Sequence, residues 1–439
     1  MAKRIIIFLP LLCLALSAYT QVNKIDSIVR EEMSKQHIAG LSLGIMKDGH
    51  LMLSKGYGFA DVKDSVPATE NTVYKIGSLS KQFIATAIVV LAEEGKLSLS
   101  DPIRKYFKDA PDAWKNITVR NLLNHTSGLE RESPLSSLTV QRPDSVVVRA
   151  SYYDSLLFAP GTKWQYSNLG YFVLADIIRQ ASSRRFEEYM NEQFATYGLE
   201  NTVTVNKSKG NKKAKGYNYN YETDINHELP DYTVLRPSGA FSSNIPDLLK
   251  WDSLQRENKV LSSKAWTKMW EDTVLVTGSS ITVYYGYGWF VREQNGHRLV
   301  YHGGNPTGGG YTSDFWKFID DKISIVLLTN ATEAHLDKIA YKISAVVDSA
   351  YKVTHPVIAN IDEYTGIYYN AELKMKISIT NDDGELTAQA TGQSSFSIKN
   401  TTTDIFKNSA VGVELDFNTT EKKMTLKQHG LTYVFSKEK

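Results

Sequence analysis

Tyr74-Lys75-Ile76-Gly77-Ser78-Leu79-Ser80-Lys81 is the stretch whose reading decides this chain. Just beyond it Phe83, Ile84, Ala87, Ile88 and Leu91 recur at helical spacing, and Glu93-Glu94-Gly95 closes the run. The pattern puts the Ser78 hydroxyl at the start of a helix and the Lys81 amine one turn later on the same face. That pair suits a nucleophile: the amine accepts or relays the serine proton, and the helix N-terminus stabilises developing negative charge. Gly77 lets the backbone turn sharply into the helix. Ser-x-x-Lys alone is weak evidence, because Ser349–Lys352 and Ser436–Lys439 match it too. The flanks single out Ser78.

Working outward, two β-rich runs, Leu41–Met46 and Leu51–Phe59, precede the stretch and are joined by the hairpin signal Lys47-Asp48-Gly49-His50. Downstream lie helical pieces, including Tyr171–Ala181 and Pro246–Leu254. Strand patterns return at Tyr285–Arg292, Arg298–His302, Tyr311–Ile319 and Ile323–Asn330. A last helix carries Leu336, Ile339, Ile343 and Val346 as its buried stripe. Strands at both ends of a helical middle predict one sheet closed by the two ends, with a helical subdomain inserted. Past His355-Pro356 the pattern alternates in short strands, which predicts a small antiparallel sheet or barrel.

Two further clusters carry chemistry. Tyr166-Ser167-Asn168, on a predicted loop, offers a phenol that can act as a base and an amide that can hydrogen-bond a carbonyl. Tyr368-Tyr369-Asn370 fits the same pattern. His302-Gly303-Gly304 ends a predicted strand, where an imidazole projects over a site and the glycines admit a ligand close to the backbone. His125 beside a helix-ending turn reads as a structural hydrogen-bonding residue. The Lys207–Lys215 run reads as a solvated loop.

Ser78-x-x-Lys81, Tyr166-x-Asn168 and His302-Gly303-Gly304 follow in that order, 88 and 136 residues apart. The set resembles the three motifs of the serine β-lactamase and penicillin-binding hydrolases. Tyr-x-Asn points to the branch that resembles class C β-lactamases, D-specific carboxypeptidases and aminopeptidases (peptidase family S12), and family VIII esterases. Leu122–Leu129 and Pro237–Ser243 are similar to signature stretches of that branch. The resemblance covers about residues 25 to 350. It implies an α+β (α/β-class) β-lactamase/transpeptidase-like fold: an antiparallel sheet flanked by helices, an inserted helical subdomain, and here a small C-terminal β domain.

It also implies roles. Ser78 would form an acyl-enzyme, with Lys81 and Tyr166 sharing the proton traffic. Asn168 and the His302-Gly303-Gly304 segment would bind substrate, and the backbone N–H groups of Ser78 and Asn305 would form an oxyanion hole. One departure bears on substrate. Lactamases and transpeptidases of the group usually carry Lys-Thr-Gly where this chain has His302-Gly303-Gly304, so a permanent cation is missing. The implied activity is cleavage of amide or peptide bonds of D-amino-acid or cell-wall-type substrates. β-Lactam hydrolysis and small-ester hydrolysis are the enzyme alternatives, and a penicillin- or cell-wall-binding sensor without turnover is the alternative of another class.

Composition bounds the rest. The 439 residues are 42% hydrophobic and 22% charged, ordinary for a globular protein. Lys3 and Arg4 supply the net charge of +2, so the remainder is balanced and a poor candidate for binding nucleic acid. Lys3-Arg4 followed by the apolar run Ile5–Ala18 reads as a secretory signal over residues 1–20, too short to span a bilayer. The expected product is periplasmic or secreted, with a hydrolase domain over 21–355 and a β domain over 361–439. Cys13, the sole cysteine, lies in the signal, so neither disulfide nor thiolate chemistry is expected. The histidines show no ligand spacing, and no metal or dissociable cofactor is expected.

Overall fold

The apolar runs at the two ends of the sheet region pair with each other. In the computed structural model, strands Gly40–Lys47 and Ile323–Thr329 run antiparallel from Leu41↔Thr329 to Lys47↔Ile323. The described residues are all except 1–7, 209–212, 221–222, 278, 280, 307, 333, 352–359, 383, 392–394, 403, 409–410, 429 and 439. Residues 1–7 of the expected signal and the boundary at His355-Pro356 therefore lie outside them, as does most of the centre of the Lys207–Lys215 run.

The sheet has nine strands in the order Val66–Pro67, His50–Asp61, Gly40–Lys47, Ile323–Thr329, Thr312–Phe318, His297–Gly304, Phe290–Gln294, Tyr284–Tyr285 and Val274–Leu275. Its central strands are buried on both faces, which is why they read as continuous apolar runs rather than alternations. One face packs Leu41, Leu43 and Ile325 against Ile25, Val29, Leu336 and Ile339 of helices Phe8–Lys35 and Leu336–Val347. The other packs Val326 and Leu328 against the Ser78 segment and the helical middle. Of the expected stripe on the last helix, Leu336, Ile339 and Ile343 are buried, whereas Val346 is only partly so and Val347 takes the inner position.

The predicted strand Tyr285–Arg292 is in fact two, parted by a turn in which Gly286 N donates to Trp289 O at 2.8 Å. Gly288 has φ +76°, and a Cβ there would lie 2.8 Å from the Lys81 carbonyl oxygen. The break brings this edge of the sheet close to the start of helix Lys81–Glu93.

The chain divides into two compact units, Met1–Thr277 with Thr282–Lys352, and Val353–Lys439 with Gly278–Ile281. The C-terminal sequence closes as an eight-stranded antiparallel barrel, so the open choice between sheet and barrel is resolved. Ile379, Leu386, Phe406, Leu415, Met424 and Phe435 fill its interior, which is a packed core. Tyr368-Tyr369-Asn370 lies on the barrel strand Gly366–Asn370, and Ser436 on the last strand. Among the described residues no helix is long and apolar enough to cross a membrane.

Candidate active site

Ser78 lies in a single 3₁₀ turn, Gly77–Ser80, that feeds directly into helix Lys81–Glu93. Three contacts from distant segments hold this turn. Ile76 N donates to Phe241 O at 3.0 Å, Phe241 N donates to Ser80 Oγ at 3.1 Å, and Ser313 Oγ donates to Ile76 O at 2.8 Å. Gly77 has φ +49°, and a Cβ on it would meet Asn305 N at 3.0 Å and Pro306 N at 2.8 Å. At Gly304 a Cβ would come within 2.0 Å of Ile76 O. The two glycines let the end of strand His297–Gly304 lie against the turn and bring the Asn305 backbone beside Ser78.

The Lys81 amine sits under this turn, fully buried, 3.1 Å from Ser78 Oγ, 2.9 Å from Asn168 Oδ1 and 2.7 Å from the Ser238 carbonyl oxygen. Burial pushes it well below the ordinary lysine value of 10.5; Glu132 opposes the shift, and Arg131 and Arg236 reinforce it. A neutral amine here spends its two hydrogens on Asn168 and Ser238, which leaves its lone pair facing the serine hydroxyl. Burial raises the Tyr166 phenol above the ordinary 10.0, and the neighbouring Ser78 hydroxyl opposes that shift. Lys81 Nζ lies 4.8 Å over the Tyr166 ring.

Asn168 is the first residue of helix Asn168–Ser182 rather than a loop residue, because Ser167 caps that helix by accepting from Gly170 N. Both ends of its amide are engaged: Oδ1 accepts from Lys81, and Nδ2 donates to Glu132 Oε1 at 2.6 Å. Glu132 in turn accepts from Arg236 at 2.8 Å.

The sequence predicts His302 over the substrate, and the structure corrects its placement. His302 is 2% exposed among the rings of Tyr166, Tyr285 and Phe290. Its Nδ1 lies 2.6 Å from Gly303 O and so carries the proton, leaving Nε2 to accept from the Tyr285 hydroxyl at 3.0 Å. Burial, then the Lys81 charge, push the ring down to about 3, so it is neutral at any ordinary pH. The cleft, about 290 Å³, is bordered at this end by Asn305, Pro306 and Gly309 instead of His302, Gly303 and Gly304. His125 is buried and neutral, with Nδ1 accepting from Ser167 N at 3.2 Å, as expected of a structural histidine.

Sequence reasoning missed Arg131, Glu132, Arg236 and the Ser238 carbonyl. The only signal for the first two is a run of charge, Glu130-Arg131-Glu132, directly after the stretch that ends at Leu129. Ser238 lies inside the stretch Pro237–Ser243, but a backbone carbonyl leaves no mark in a sequence. Among the described residues no group of three or more ligating side chains could hold a metal ion.

This geometry can be set beside known proteins. The beta-lactamase family profile matches residues 25–347. The chain belongs to the beta-lactamase family. By family it is a serine hydrolase, and its fold is that of the family with a C-terminal barrel added. It is 26% identical to penicillin-binding protein 4* of Bacillus subtilis (strain 168), over 69% of this chain and 70% of that protein. It is 29% identical to protein flp of Staphylococcus aureus (strain MRSA252), over 72% of this chain but only 64% of that protein. The octameric penicillin-binding protein homologue from Pyrococcus abyssi superposes with a TM-score of 0.72 at 23% identity, covering 94% of this chain and 99% of that one. The last likeness concerns fold and spans both units.

Proposed function

We propose that this family member hydrolyses amide or peptide bonds of D-amino-acid or cell-wall-type substrates through an acyl-enzyme on Ser78. The observation that carries the reading is the buried Lys81 amine with two of its hydrogen-bonding directions filled and the third aimed at Ser78 Oγ. The substrate class is supported by the likeness to a relative named as a penicillin-binding protein. In this reading residues 21–355 form the hydrolase, 361–439 a separate β domain, and the chain is exported behind residues 1–20.

Lys81 takes the Ser78 proton as Oγ bonds to the substrate carbonyl carbon. The carbonyl oxygen, now negative, is held by the N–H groups of Ser78 and Asn305, each such donor being worth about 3 kcal/mol. The C–N bond breaks as Tyr166 protonates the leaving amine, and Lys81 restores the Tyr166 proton. Water then attacks the Ser78 ester, its proton passing through the same pair, and the released acid leaves Ser78 protonated again. Asn168 holds the Lys81 amine in register.

Time-resolved intact mass of the protein mixed with a penicillin, with Ser78→Ala as control, tests this. A mass increase of one penicillin that needs Ser78 is the expected result, with turnover of an acyl-D-alanyl-D-alanine peptide falling by ~10⁴-fold or more in the variant. An adduct that persists in Ser78→Ala overturns the nucleophile. Peptide turnover by neither protein, with a Ser78-dependent reaction toward p-nitrophenyl acetate, overturns the substrate class and leaves an esterase.

A further inference from the structure

The cleft wall carries four charged side chains among the described residues, Lys75, Arg131, Glu132 and Arg236. Three are satisfied within the protein. Lys75 Nζ lies 2.5 Å from Tyr232 O and 2.6 Å from Asp231 Oδ1. Arg236 and Glu132 pair at 2.8 Å, and Glu132 also accepts from Asn168. Arg131 is exposed, and its guanidinium has no hydrogen-bond or ion-pair partner among the described residues.

Its backbone is nevertheless tied down beside Tyr166. The Arg131 carbonyl accepts from Asn168 N at 2.8 Å and Leu169 N at 3.2 Å, which ties residue 131 to the first turn of the helix that follows Tyr166. The guanidinium then lies 5.4 Å over the Tyr166 ring. A planar cation held at the reacting end of a cleft, with its donor edges unspent, matches a carboxylate in a two-point contact. The neutral, buried His302 cannot supply that charge. In the proposed reaction Tyr166 protonates the leaving nitrogen, and in a C-terminal amino acid the carboxylate is only two bonds from that nitrogen. A cation beside Tyr166 is therefore placed for the leaving group rather than for the acyl group.

We infer that Arg131 binds the free carboxylate of the leaving residue, making the enzyme selective for removal of a C-terminal residue and supplying from a different segment the cation missing at His302. The inference rests on the proposed Ser78–Tyr166 acyl transfer. Its test uses an ester bond, so that it does not depend on amide cleavage: an acyl-D-alanyl-D-lactate depsipeptide with a free carboxylate against its methyl ester, with acyl-D-alanyl-D-alanine run alongside. The wild type is expected to favour the acid over the methyl ester by tenfold or more in kcat/KM. In Arg131→Ala that ratio falls to near one, in Arg131→Lys it falls partway, and the change sits mainly in KM. A loss shared equally by acid and methyl ester, leaving the ratio intact, overturns the inference and makes Arg131 a residue that acts through Tyr166. A wild-type ratio of one also overturns it. Cleavage of the depsipeptides with no cleavage of the alanine peptide defeats the amide reading while leaving the Arg131 ratio measurable.

Discussion

Lys81 shows how a single side chain is retuned by where the fold puts it. In water its amine is a cation and cannot take a proton. Buried against Asn168 Oδ1 and the Ser238 carbonyl, it is driven well below 10.5, while burial drives Tyr166 the other way, above 10.0. The signs separate the two candidate bases. If neutral Lys81 receives the serine proton, kcat/KM rises with pH through a limb well below 10.5 and falls on the acid side as Lys81 protonates. If a Tyr166 phenolate does so, the limb lies above 10. A pH profile with a neutral ester substrate distinguishes them, and the expected outcome is the lower limb. Lys81→Arg, charged at every accessible pH, should lose turnover by ~10²-fold or more across the profile. The Ser78–Lys81 relation was legible because three residues of helical turn carry it. The pKa shift was not, because it comes from residues far along the chain.

At the scale of elements, the helix Ile245–Arg256 is pinned to the sheet by a buried ion pair. Asp252 lies 2.7 Å from Lys317 Nζ on strand Thr312–Phe318, and Ser324 Oγ on the neighbouring strand donates to it at 2.8 Å. Burial alone would raise the Asp252 carboxyl, but Lys317 and Arg256 hold it below the ordinary carboxylate value. Removing one partner strands the other, so Asp252→Ala should cost about 3–5 kcal/mol in denaturant unfolding. Asp252→Leu with Lys317→Met should recover most of that, and a double variant as unstable as the single would contradict this account. The helix itself was readable from its apolar spacing. The pair was not, since Asp252 and Lys317 look like surface residues in sequence. The same logic explains the split strand at Gly286–Trp289: the apolar run continues in sequence, but a glycine turn needed to meet the Lys81 helix interrupts it in space.

For the whole molecule, the core residues of the barrel, from Tyr364 to Phe435, form a cluster distinct from the two clusters that line the nine-stranded sheet. Calorimetry of the full chain should therefore resolve two unfolding transitions, and a single transition with equal calorimetric and van't Hoff enthalpies would show the cores melting as one. The sequence by itself determined the turn that carries Ser78 and Lys81, the order of the three motifs, the sheet shared by the two ends and the β character of the C-terminal unit. These are written in residue types and short periods, which act over one turn of helix or one pleat of strand. Tertiary structure alone decided that His302 is a neutral buried ring, that Asn168 opens a helix and orients Lys81 together with the Ser238 carbonyl, and that burial, with Glu132, Arg131 and Arg236 nearby, sets the charge of Lys81. Lys81 meets Ser238 across 157 residues of chain and Asn168 across 87. Desolvation and such long-range contacts depend on which surfaces packing brings together, and no local pattern records them.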